Sequence, residues 1–119
     1  MAEMKSESNW VPAVRRQGDA IIATIRGEID LHNSPQVRAM LLKFLEEHKP
    51  TKLVLNLSGV PYMDSSAIAV LVEALQKVRK IGGKIYLTDL QPRVKGLLEI
   101  ARLDSIFIIT KDENEALSK

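Results

Sequence analysis

Lys52-Leu53-Val54-Leu55-Asn56-Leu57-Ser58-Gly59-Val60-Pro61-Tyr62-Met63-Asp64-Ser65-Ser66-Ala67-Ile68-Ala69-Val70-Leu71 reads as a strand, a turn and the opening of a helix. The run from Lys52 to Leu57 is nearly unbroken in apolar character, as expected for a strand covered on both faces. Ser58-Gly59-Val60-Pro61 turns the chain. Ile68, Leu71, Val72, Leu75 and Val78 then recur at three- and four-residue steps, which predicts a helix over about Ser65 to Ile81. An acid and two serines stand at its start. Asp and Ser are preferred helix caps because their oxygens accept from unpaired backbone N–H groups. The same placement sets two small hydroxyls beside a carboxylate, at the positive end of a helix dipole. No His or Cys stands nearby in sequence to activate either hydroxyl.

Downstream, Gly82-Gly83 supplies a C′ glycine for that helix. Lys84 to Leu90 is the next expected strand, Pro92 opens a third helix over about Arg93 to Ala101, and Ile106 to Ile109 is a short last strand. Asp112 and Glu115 have capping-box spacing at the start of a small terminal helix, Asp112 to Leu117. Upstream, Ser34 is read as an N-cap with Pro35 at the first helical position. Val37, Met40, Leu41, Phe44 and Leu45 mark the buried face of a first helix that ends near His48. Before it lie two expected strands, Trp10 to Arg16 and Ala20 to Arg26, joined as a hairpin by Gln17-Gly18-Asp19. Trp10 is read as a core-edge residue. Residues 1–9 are read as a flexible N-terminal tail and residues 10–117 as the single domain.

The order is β-β-α-β-α-β-α-β-α. Alternation after the hairpin predicts an α/β fold: a mixed, mostly parallel sheet packed with about four helices, its first strand antiparallel at one side.

Composition narrows the function. The 119 residues are 45% hydrophobic and 27% charged, a balance for one globular domain. No cysteine is present, which excludes disulfides and thiolate chemistry and fits a reducing cytoplasm. No apolar run reaches the roughly 18–20 residues of a membrane span. With 17 basic and 15 acidic residues, nothing demands a nucleic acid as partner. Lys77, Arg79, Lys80 and Lys84 read as a solvated helix end. His32 and His48 lack ligand spacing, so no metal site is expected. No phosphate loop is present.

In a parallel sheet, functional groups gather on loops after the carboxyl ends of strands. One such loop carries Asp64, Ser65 and Ser66. The other carries Glu28, Asp30, His32 and Asn33, provided that the strand before it runs parallel to the Lys52 strand. A phosphate on Ser65 would add about −1.5 to −2 charge. The helix N-terminus would tolerate that charge, so the fold should survive while an acidic partner surface is repelled.

Lys52 to Gln76 resembles the central segment of the STAS-domain anti-sigma factor antagonists, whose mark is an apolar strand, Met-Asp-Ser-Ser/Thr-Gly, then a helix. This chain has Met63-Asp64-Ser65-Ser66-Ala67. Gly27-Glu28-Ile29-Asp30, Lys80-Ile81-Gly82-Gly83-Lys84 and Pro92-Arg93-Val94-Lys95-Gly96-Leu97-Leu98 are similar to other segments of the family. The resemblance spans roughly residues 10–117.

The resemblance implies a non-enzymatic switch without a cofactor of its own. The unphosphorylated form would bind an anti-sigma factor that is also a serine kinase of the histidine-kinase-like ATPase fold, releasing a sigma factor. The kinase would phosphorylate Ser65, with Ser66 in reserve, and a PP2C-type phosphatase would reverse it. Glu28, Asp30, Asn33, Asp64, Ser66 and Ala67 would form the partner surface. Ala67 replaces the family's Gly, which is harmless at negative φ but obstructive at positive φ or under a close partner backbone. Two other readings stay open: a STAS scaffold subunit of a sensor complex or lipid-transport ATPase without phosphorylation, and a small hydrolase or nucleotide-binding enzyme. A Ser65, His32, Asp30 triad can be written for the latter, but its serine lacks the G-x-S-x-G elbow.

Overall fold

The apolar strand that begins at Lys52 lies inside the sheet. A computed structural model, describing residues 2–5 and 13–119, places it between two parallel neighbours. The elements are β1 (Ala2–Lys5), β2 (Ala13–Gln17), β3 (Ala20–Arg26), α1 (Ser34–His48), β4 (Lys52–Gly59), α2 (Ser65–Lys80), β5 (Lys84–Thr88), α3 (Pro92–Ile100), β6 (Ile108–Thr110) and α4 (Glu113–Ser118). The six strands stand in chain order from β1 to β6. β1, β2 and β3 pair antiparallel, and β3 through β6 pair parallel. The expected α/β class and mixed sheet are therefore the observed ones.

Strand alternation divides the core. Leu53, Leu55 and Leu57 join Ile21, Ala23 and Ile25 in a cluster with Val37 and Leu41 of α1, Leu71 and Leu75 of α2, and Val94 and Leu98 of α3. Val54 faces the other way, with Ile22, Tyr86 and Ala116 of α4. This two-sided cover is why β4 reads as a continuous apolar run. Truncating a leucine such as Leu55, with no exposure, removes about 2–5 kcal/mol of stability. Side-chain bonds seal α4 onto the sheet. Asn56 Nδ2 donates to Glu113 Oε2 at 2.6 Å, and Lys52 Nζ donates to the Ala116 carbonyl at 3.0 Å. Glu113 also pairs with Arg15 of β2.

Local expectations fail in four places. Ala2–Lys5, read as part of a loose tail, pairs along β2 as a strand, because ladder bonds need only backbone groups. The hairpin loop is shorter than expected, since Gln17 pairs with Ala20 across Gly18-Asp19. Ser34 is the first residue of α1 and not its cap; Asn33 holds the cap position. The last strand starts at Ile108, because Ile106 and Phe107 both donate their N–H to the Leu103 carbonyl and remain in a turn. Trp10 lies outside the described residues.

Candidate functional site

The loops after β3 and β4 meet because their strands are parallel neighbours. A bulge between Thr24 and Arg26 shifts the register, so that Arg26 faces Gly59. A Cβ on Gly59 would stand 2.8 Å from the Arg26 Cβ, so glycine permits the approach. Gly27 takes φ 91°, a left-handed value that favours glycine, and its N–H donates to the Gly59 carbonyl at 2.8 Å. Beyond this point the two loops zip together. Ile29 N–H donates to the Tyr62 carbonyl and Asp64 N–H to the Ile29 carbonyl, both at 3.1 Å.

The loop from Gly27 to Asn33 is braced from within. Asp30 Oδ1 accepts from the backbone N–H groups of His32 at 2.9 Å and Asn33 at 3.1 Å. Asn33 Oδ1 accepts from Asp30 N–H at 2.9 Å, and Asn33 Nδ2 donates to the Glu28 carbonyl at 2.7 Å. Asn33 is only 8% exposed. Its amide therefore holds the loop together.

Asp64 joins this loop to α2. Its Oδ1 accepts from Ser66 N–H at 2.9 Å, from Ala67 N–H at 3.4 Å and from the Ser66 hydroxyl. Its Oδ2 accepts from Leu31 N–H at 3.0 Å. The Ser66 hydroxyl bond, followed by the backbone donors of Ala67, Ser66 and Leu31, holds the Asp64 carboxyl below its ordinary range, against the opposing pull of partial burial.

Ser65 is exposed at the first position of α2, and among the described residues no hydrogen bond engages its Oγ. Ser66 is half-buried and committed to Asp64. Glu28 is exposed and Asp30 half-buried, so both border the site. Ala67 is 2% exposed and part of the main core. Its φ is not positive, so the residue fits the helix without strain, and its methyl packs into the core.

The triad written for a hydrolase is not assembled. The Asp30 carboxylate accepts from the backbone of His32 and not from its ring. Among the described residues, no group of three or more His, Asp or Glu side chains is placed to hold a metal. No described helix is long and apolar enough to cross a membrane.

Three neighbours escaped the sequence reading. Leu31 is 76% exposed on the braced loop. Tyr62 is 37% exposed, and the Arg93 guanidinium from α3 sits 4.9 Å from its ring centroid. Leu31 left a legible signal, since a leucine among Asp30, His32 and Asn33 belongs to no buried periodicity. The Tyr62–Arg93 pair left none, because it depends on how α3 returns to the sheet.

The model of the STAS domain matches residues 11–116. The chain belongs to the STAS domain family. Among its relatives, the anti-sigma-B factor antagonist of Bacillus subtilis is 32% identical over 82% of this chain and 87% of its own length. The anti-sigma F factor antagonist of Paenibacillus polymyxa is 29% identical over 83% and 85%. In three dimensions the STAS chain is similar to a Thermotoga maritima protein, described as a candidate anti-sigma factor antagonist. That match has a TM-score of 0.85 at 25% identity, covering 92% of this chain and 93% of the other.

Proposed function

We propose that this STAS domain is an anti-sigma factor antagonist, a regulatory binding protein rather than an enzyme, and that Ser65 is its switch. The observation that carries this reading is the state of Ser65: exposed, at a helix N-terminus, beside a carboxylate that accepts from Ser66, Ala67 and Leu31. A nucleophile needs a base within hydrogen-bond reach, and among the described residues none is bonded to the Ser65 hydroxyl. A substrate hydroxyl needs only access and a rigid frame, since the kinase brings its own base. The names of its relatives support the class of partner.

In this reading the unmodified surface docks on an anti-sigma factor that is also a serine kinase of the histidine-kinase-like ATPase fold. The sigma factor is thereby released, in the cytoplasm. The kinase transfers the γ-phosphoryl group of ATP to Ser65 Oγ, giving ADP and a proton, while ATP and its metal stay with the kinase. A PP2C-type phosphatase hydrolyses the ester and returns inorganic phosphate. The phosphoserine carries about −1.5 to −2 charge, which the N–H groups at the start of α2 tolerate. The protein thus stays folded while the bulk of the phosphate at the start of α2 blocks docking. Phosphorylation lowers affinity by about 10–1000-fold, roughly 1.4–4 kcal/mol.

Incubation with cognate kinase and ATP, followed by intact-mass measurement, tests the switch. One added phosphate that disappears in Ser65→Ala supports it. A phosphate that persists in Ser65→Ala and disappears in Ser66→Ala moves the switch by one residue. No phosphate with any candidate kinase refutes it.

A further inference from the structure

We propose that Leu31 is the apolar anchor of the Ser65 docking surface, seated in a hydrophobic recess of the partner kinase that is bordered by basic groups. The inference rests on the reading of Ser65 as a kinase substrate and states what the partner must present to it. A single exposed leucine is ordinary on a protein surface. This one differs in how it is held and in what surrounds it.

Its own N–H is fixed on Asp64 Oδ2 at 3.0 Å. The following two backbone N–H groups are fixed on Asp30 Oδ1. The buried Asn33 amide ties the loop to itself at both Glu28 and Asp30. A side chain 76% exposed on so braced a backbone is rigidly displayed before any partner arrives. Preorganisation of this kind spares the ordering entropy of association. Spacing to the serine is fixed as well, because the carboxylate that holds Leu31 also caps the helix that begins at Ser65.

The surroundings define the recess. Glu28, Asp30 and Asp64 lie on the same two joined loops as the leucine and serine, so a complementary partner carries basic groups at the rim of an apolar pocket. Ile100 serves as an internal control: it is 83% exposed as the last residue of α3, at the end of that helix opposite Arg93.

The test uses the full chain and each ATPase-fold serine kinase encoded in its genome. Binding of wild type, Leu31→Ala, Leu31→Glu and Ile100→Glu is measured by calorimetric titration, and Ser65 modification by intact mass over time. Leu31→Ala is expected to weaken binding by about tenfold and Leu31→Glu by about 100-fold, as for a central hot spot. The kcat/KM for phosphorylation should fall in step, while Ile100→Glu stays within about twofold, as for a surface change away from an interface. Urea midpoints are expected to be unchanged in all three variants, which separates docking from folding. Wild-type affinity in both Leu31 variants overturns the anchor and leaves Ser65 as substrate. A neutral Leu31→Ala with only Leu31→Glu impaired also overturns the apolar recess. A wild-type chain that no kinase binds or modifies overturns the functional reading and the anchor together.

Discussion

The backbone N–H of Leu31 donates to Asp64 Oδ2 at 3.0 Å, so one carboxylate caps α2 and clamps the loop after β3. Two segments 33 residues apart in the chain are thereby locked at the edge of the Ser65 surface.

That carboxylate should give stability a pH signature. The Asp64 carboxyl is held below its ordinary range by Ser66 first and by backbone donors after it. A carboxyl depressed in the folded state stabilises fully above its unfolded pKa, about 3.9, and loses that contribution as pH falls through the lower folded value. Wild type should therefore exceed Asp64→Asn in urea midpoint at pH 7, and the gap should close in acid below about pH 4. Parallel urea titrations of the two proteins from pH 7 to pH 2.5 check this; a gap constant across that range refutes the linkage.

Asn33→Ala should destabilise the protein by about 1–3 kcal/mol, because it strips partners from the Asp30 N–H and the Glu28 carbonyl in a part-buried loop. Chemical denaturation reads the loss. The same variant should also weaken docking, because the loop that its amide holds carries Leu31.

Ala67→Gly restores the residue that the family pattern carries. Here it should cost about 1 kcal/mol, from helix propensity and from the lost methyl in the core. Kinase affinity should be unchanged, since the methyl faces inward. A large gain in affinity would mean that a partner backbone approaches this position.

Lys49 ends α1 with φ 43°, in the left-handed region. Lys49→Gly should raise stability by about 0.5–1 kcal/mol by relieving the Cβ clash of that conformation. An upward shift in urea midpoint with unaltered slope is the expected result.

Much of this arrangement is legible in the sequence because it follows from periodicity. The unbroken run of β4 and the three- and four-step repeat of α2 locate Ser65 at a strand-to-helix junction. Parallel pairing then brings Glu28 and Asp30 beside it. What the sequence hides is the use of a group whose type fits two roles. Asn33 has a surface residue's polarity, yet its amide matches two backbone groups of its own loop and is buried for that purpose. Ala67 suits either a contact or a core, and only the packing of α2 decides. Tyr62 meets Arg93 through the return of α3, which no local pattern encodes. Ala2–Lys5 pairs through its backbone, which sequence polarity does not record.

Because spatial order in the sheet equals chain order, each strand emerging from a ribosome can lie down against the one made just before it. No later strand must be threaded between earlier ones, so sheet growth proceeds at a single advancing edge. The back surface formed by Ile22, Val54 and Tyr86 stays wet until α4 arrives and Ala116 covers it. A nascent chain halted before Glu113 would accordingly expose that greasy patch, and it is there that a chaperone should be found holding on.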